Sequence, residues 1–211
     1  MRLYTYFRSS AAFRVRIALN WKGLAYEPVF THLVRGEHKS ADYLAANPMG
    51  LLPALETDEG ALTQSIAILE YLDEVAPEPP LLPRAAKDRA HVRAMAHIVA
   101  CDIHPVNNLR ILRYLKQGFG QDQDAVDNWY RHWIVEGFTG LEALVARHAG
   151  RYCFGDQVTL ADICLVPQMW NARRFETPLE AFPTLVRVDG ALQGLDAFAA
   201  TAPQNQPDAA A

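Results

Sequence analysis

Apolar and polar residues alternate over positions 2–7. From Ser10 to Lys22 the apolar positions instead recur at helical spacing, at Phe13, Ile17, Ala18 and Trp21, until Gly23 stops the pattern. The change of period predicts a strand followed by a helix. Residues 26–31 read as a second strand, and the polar run 35–40 after it reads as a loop. Strand, helix, strand suggests a right-handed crossover between parallel strands. Residues 47–56, a turn around Asp58-Glu59-Gly60, and the apolar-periodic run from Ile66 to Leu72 predict a hairpin feeding a helix, with Ser65 placed to cap it.

Residues 1–76 therefore read β-α-β then β-β-α, the order of a thioredoxin-like domain. Prolines at 77, 79, 80 and 83 remove backbone donors and cannot continue a helix, so 77–85 reads as a linker. From residue 86 the pattern is helical throughout. Val92, Met95, Val99, Val106 and Leu109 mark a buried stripe that takes in Asp102, and Pro105 is expected to kink that helix. A long helix covers 129–148, and another opens at Thr159 with Asp162 placed as in a capping box. The expected fold class is an α/β thioredoxin-like N-terminal domain plus an all-α C-terminal domain over 86–211, ending in a loose tail from Thr201 to Ala211.

Charge and composition narrow the partners. A formal net charge of −4 with scattered arginines offers no general attraction to nucleic acid or to an anionic membrane. No run approaches the ~18 apolar residues of a membrane span. Three cysteines, Cys101, Cys153 and Cys164, without CxxC spacing suit a reducing cytoplasm and read as buried thiols. His91 and His97 lie six apart and no HExxH occurs, so no metal centre is expected. No GxSxG turn supports a serine hydrolase. A small-molecule partner remains.

The segment Phe7-Arg8-Ser9-Ser10 at the first helix start carries the most chemistry. A helix N-terminus leaves backbone N–H groups unpaired and bears roughly half a positive charge, so it can hold a phosphate, a carboxylate or a thiolate. From the residues alone, a serine there could equally be only a cap.

The run from Arg8 to Leu19 resembles the zeta-class glutathione transferase signature, SSCxxRVRIAL. Asn47-Pro48, Leu52-Pro53, Gln64 to Leu72, Asp102 to Leu109, and Gly155-Asp156 through Gln168 resemble that family as well, so the similarity covers nearly the whole chain. Ala11 departs from it, standing where the signature has cysteine, and any side activity that needs that thiol is in doubt.

The resemblance implies glutathione as cofactor, with Ser9 as principal donor to its thiolate, and Ser10 and Ala11 beside it. Leu52, before a cis Pro53, would pair with the cysteinyl backbone, Gln64 and Ser65 would hold the γ-glutamyl carboxylate, and His38 and Lys39 would lie near the glycyl end. Otherwise His38 is a solvated loop residue. Asp102 would reach the glutathione of a second copy in a homodimer, while His104 and Asn108, four apart on one helix face, could meet substrate or glutathione. Arg8, Arg110 and Arg174 are the candidate substrate arginines, because a guanidinium pairs with a carboxylate in one plane.

A Z double bond conjugated to a carbonyl rotates only after a thiolate has added to it and moved charge onto the carbonyl oxygen. The implied reaction is thus glutathione-dependent cis–trans isomerisation of a maleyl diacid, maleylacetoacetate to fumarylacetoacetate. Maleylpyruvate isomerisation and general glutathione conjugation are the alternatives, and a non-catalytic binding protein is a third reading.

Overall fold

In the computed structural model, which describes residues 1–210, the N-terminal alternation becomes strand β1 (Arg2–Thr5), with Leu3 and Thr5 buried. Strand β2 (Glu27–Phe30) runs parallel to it, with Leu3 opposite Pro28. Strand β3 (Ala54–Thr57) lies antiparallel to β1, and β4 (Gly60–Thr63) antiparallel to β3, in the order β2-β1-β3-β4. Pro28 is tolerated because β2 is an edge strand, where a missing N–H costs no ladder bond.

Helix α1 (Ser10–Trp21) joins β1 to β2, and every residue from Ser10 to Leu19 is buried. It packs against α3 (Ser65–Val75), whose Ile68, Leu69 and Leu72 are fully buried with Val15, Ile17 and Leu55. Each such side chain contributes about 1.5–3 kcal/mol by leaving water. A short helix α2 (Ala41–Ala46) stands in the segment after the predicted loop, capped by Ser40 Oγ accepting from Tyr43 N. Six residues with one buried side chain, Tyr43, are too few for a periodic signal. Ser65 does not cap α3 as expected. The N-cap is Gln64, and Ser65 is the first helical residue.

The chain divides into two compact units, Met1–Leu81 together with the segment from Gln193 onward, and Leu82–Leu192. The expectation of a loose tail fails. Thr201, Ala202, Pro203 and Asp208 are buried in the first unit, tied down by backbone and side-chain bonds described below. Ala211, the last residue of that expectation, lies outside the described residues.

The second unit is helical. Helix α4 (Ala86–His97) runs on into a π-helical turn, Ile98–Ile103, marked by His104 N donating to Val99 O at 3.0 Å. Helices α5 (Leu109–Phe119), α6 (Gln123–His148), α7 (Leu160–Arg174) and α8 (Pro183–Gln193) follow. The π turn adds a residue to the repeat, and this overturns the predicted stripe. Ile103 is fully buried, Asp102 is exposed and Val106 half-buried. Ile103 sits so close to α6 that a Cβ on Gly137 would come 2.2 Å from its Cγ1, so only glycine fits there. Pro105 ends this helix and does not kink it, and His104 and Asn108 consequently do not share a helix face. The expected capping box is present, with Asp162 Oδ2 accepting from Thr159 N and Oγ1. Among the described residues no helix is long and apolar enough to cross a membrane.

Candidate active site

The turn between β1 and α1 is set by backbone geometry. Ser9 N donates to Tyr6 O at 2.9 Å, and Ser9 in extended conformation becomes the N-cap, its Oγ accepting from Ala12 N at 3.2 Å. A hydroxyl has one donor and two acceptor positions, so this cap leaves the Ser9 proton able to donate to an anion in front of the helix. Capping and donation are compatible in one side chain. Ser10 and Ala11 follow, both buried. Arg8 is half-buried, donating from Nη2 to Tyr6 Oη at 3.0 Å, with its guanidinium carbon 5.2 Å from the centre of the Phe7 ring.

Two arginines that the sequence reading left unassigned underpin this turn. Arg14 Nη1 donates to Ser65 Oγ at 3.1 Å, linking the starts of α1 and α3. Arg16 donates to Thr5 Oγ1, Tyr6 O, Phe7 O and Thr201 O. Burial lowers its pKa to about 10, while Tyr26 and Asp208 work the other way.

A second group of predicted residues is held by the segment 43–51. The Tyr43 hydroxyl and Asn47 Nδ2 both donate to Leu51 O, immediately before Leu52 and Pro53, which are buried and joined by a cis peptide. Burial pushes the Tyr43 hydroxyl up to about 12. Lys39 Nζ donates to Met49 O at 3.3 Å, and His38 is buried, contrary to the solvated alternative. Gly50 has φ +57, and a Cβ there would meet Lys39 Nζ at 2.6 Å and His38 O at 2.9 Å. Glycine is what lets these two segments meet.

At α3 the exposed Gln64 is held at φ 68, a conformation costly for any residue but glycine, and no side chain caps the helix. The first-turn N–H groups of α3 are thus open to an anion.

The remaining predicted residues belong to the second unit. Asp102 is exposed and His104 half-buried. Asn108 is the N-cap of α5, its Oδ1 accepting from Arg110 N at 3.2 Å, and the Arg110 side chain is exposed. Arg174, also exposed, has its guanidinium carbon 5.0 Å from the Phe175 ring centre, and Phe175 stacks on Tyr130 at 3.6 Å. The structure brings Arg8, Ser9, Ser10 and Ala11 together, joins Ser65 to them through Arg14, and joins Lys39 to the 47–53 segment.

Arg16, Tyr43, Asn47 and Asp208 are supporting residues absent from the sequence-level site. For Arg14 and Arg16 a signal existed, since charges inside the run Phe13–Leu19 imply burial. Nothing local in the sequence points to Asp208.

Residues 1–74 match the family model of the glutathione S-transferase N-terminal domain. A probable maleylacetoacetate isomerase of Vibrio cholerae is 50% identical over 98% of this chain and 97% of its own. The holo structure of a maleylpyruvate isomerase, described as a bacterial zeta-class glutathione S-transferase, superposes with a TM-score of 0.96 at 50% identity, covering 99% of both chains. A maleylacetoacetate isomerase of Methylobacterium extorquens AM1 with bound malonate and glutathione gives 0.96 at 41% identity, covering 100% of both.

Proposed function

The chain belongs to the zeta-class glutathione transferase family, and from that membership we propose that it is a glutathione-dependent cis–trans isomerase of a maleyl diacid, maleylacetoacetate ahead of maleylpyruvate. The observation that carries the chemistry is Ser9. Its oxygen is occupied by Ala12 N while its proton remains available at the positive end of α1.

The residues fit glutathione. The tripeptide needs an anion site for its γ-glutamyl carboxylate, a backbone edge for its middle residue and a donor for its sulfur. The uncapped start of α3 at Gln64 and Ser65, the Leu52 main chain before Pro53, and Ser9 with Ser10 and Ala11 meet those needs, and His38 and Lys39 serve the glycyl end. When bound, glutathione supplies a thiolate that adds reversibly to the conjugated double bond and is released unchanged.

The chain's residues do the rest. Ser9 donates toward the sulfur, and with the α1 terminus lowers the thiol pKa from about 8.5 toward neutrality. Ser65 keeps its hydroxyl proton for the γ-glutamyl carboxylate because its oxygen accepts from Arg14. Arg8 spends one donor on Tyr6 and turns the others to a substrate carboxylate and to charge developing on the conjugated carbonyl oxygen. We assign the substrate's carboxylates also to Arg110 and Arg174. The half-buried His104 and the Asn108 amide, whose Oδ1 is spent on the α5 cap, act as donors to substrate or glutathione. We further propose a cytoplasmic homodimer in which Asp102, exposed on the second unit, meets the glutathione amine of the other copy.

The test is kcat/KM for maleylacetoacetate and for maleylpyruvate on one preparation, with and without glutathione. Glutathione-dependent turnover, faster with maleylacetoacetate, is expected. A reversed ratio makes the enzyme a maleylpyruvate isomerase, and no turnover of either, with a neutral aryl halide consumed, makes it a conjugating transferase.

A further inference from the structure

We propose that Asp208, near the C-terminal end of the chain, is a positioning residue that fixes the turn carrying the thiol-activating Ser9. The inference rests on the function proposed above and concerns a residue more than 190 positions away in sequence from that turn. Asp208 is buried, and its Oδ2 accepts from Phe7 N at 2.9 Å. On the other side of the same residue, Phe7 O accepts from Arg16 Nη2 at 3.1 Å. Tyr6 O, which shares a peptide group with Phe7 N, accepts from Arg16 Nη1 at 3.3 Å and from Ser9 N at 2.9 Å. Both peptide groups flanking Phe7 are therefore gripped by a buried anion and a buried cation, with Ser9 two residues farther on.

The tail is itself anchored to the same cation, since Thr201 O accepts from Arg16 Nε and Nη2. Strap, cation and turn form one connected unit.

A strap that served stability alone would not need a charge. Asp208 Oδ1 is buried with no hydrogen-bond partner among the described residues, and a buried carboxylate with an unsatisfied oxygen is costly. What the carboxylate supplies is a strong, directional acceptor for Phe7 N, which orients the next two peptides and so the Ser9 hydroxyl. Charged and titratable groups that face this segment include Arg8, Arg16 and Asp208, with His32 against the Tyr6 ring at 4.8 Å and Tyr26 near Arg16.

The two roles predict opposite signs for one observable, the thiol pKa of glutathione bound in the binary complex, read from thiolate absorbance near 240 nm. If Asp208 acted only through its charge, removing that charge would favour the thiolate and the pKa would fall. A positioning role predicts that Asp208→Ala raises it by about one unit, lowering kcat/KM about tenfold at pH values below the bound thiol pKa of the unsubstituted protein, with glutathione affinity changed less. Asp208→Asn, which keeps an oxygen acceptor of the same shape, should move it the same way by a smaller amount. A folded Asp208→Ala whose bound thiol pKa is unchanged or lower overturns the proposal. If that variant does not fold, Asp208→Asn decides by the same criterion. The unsubstituted protein separates the two readings. Failure to bind glutathione or to lower its thiol pKa defeats the functional assignment, whereas a lowered pKa that neither variant shifts upward defeats only the role of Asp208.

Discussion

Of the three helix starts that carry candidate site residues, those of α1 and α5 are built in different ways. At α1 the cap Ser9 opens a run of ten buried residues, two of them arginines whose guanidinium groups hold neighbouring turns in place. At α5 the cap Asn108 opens a helix in which no residue is fully buried, and the arginine beside the cap is exposed. The difference matches the chemistry assigned to each. Stabilising a thiolate requires dipoles that are already aimed before the charge forms, and buried hydrogen bonds keep them aimed. Recognising the carboxylates of a substrate can be left to side chains on an open surface, which can differ between related enzymes without cost to the core.

Removing Arg16 should break the comparison most severely. Arg16→Met leaves Thr5 Oγ1, Phe7 O and Thr201 O without the donor that Arg16 gives them and Tyr6 O with Ser9 N alone, and stability should fall by about 3–5 kcal/mol, a melting temperature lower by roughly 10 °C in a calorimetric scan. Ser9→Ala comes next. It should cost about a hundredfold in kcat with glutathione affinity nearly kept, the size of effect seen when one donor to a developing anion is removed. Arg8→Ala should instead lower kcat/KM for the diacid by about tenfold, through both a higher KM and a lower kcat, with the thiol pKa little changed.

A pH titration sharpens the same contrast from the 43–51 side. The Tyr43 hydroxyl is held at about 12 in the folded protein, against about 10 unfolded, so it stays protonated while the unfolded chain ionises. Its contribution is whole below pH 10 and is lost as pH rises from 10 to 12. Arg16, lowered to about 10, shifts stability in the opposite direction over that range, so the comparison must be with Tyr43→Phe. At pH 11 the parent should have lost about 1 kcal/mol relative to that variant, measured by denaturant melts. The smallest effect belongs to the open region. Arg110→Ala should lower kcat/KM for the diacid by only about threefold and leave the melting temperature unchanged, as expected of an exposed side chain.

The same contrast explains what could be read from the sequence. The strand-helix-strand order, the hairpin, the capping box at Thr159 and the serine-bearing start of α1 are local patterns, set by period, turn residues and caps within a few positions. Asp102 leaves the expected stripe because a π turn at 98–103 adds a residue to the helical repeat, and His104 and Asn108 leave the expected common face because the helix ends at Pro105; nothing in the apolar spacing announces either. The support of the site was harder still to see. Asp208 meets Phe7, Arg16 meets Thr201 and Arg14 meets Ser65 across long stretches of chain, and such contacts leave no periodic trace. The tail reads as loose because its polar and alanine-rich composition lacks an apolar stripe, although Thr201 buries its hydroxyl by donating it to backbone carbonyls and Asp208 is tied through Oδ2 to Phe7 N.

Supplying glutathione at a tenth of the concentration of maleylacetoacetate, and following both the double-bond geometry and the thiol by NMR, tests the central claim most directly. The account predicts complete conversion to the E isomer with all the glutathione recovered. Conversion that stops once one equivalent of glutathione has been consumed, or that runs equally fast without it, would contradict the account.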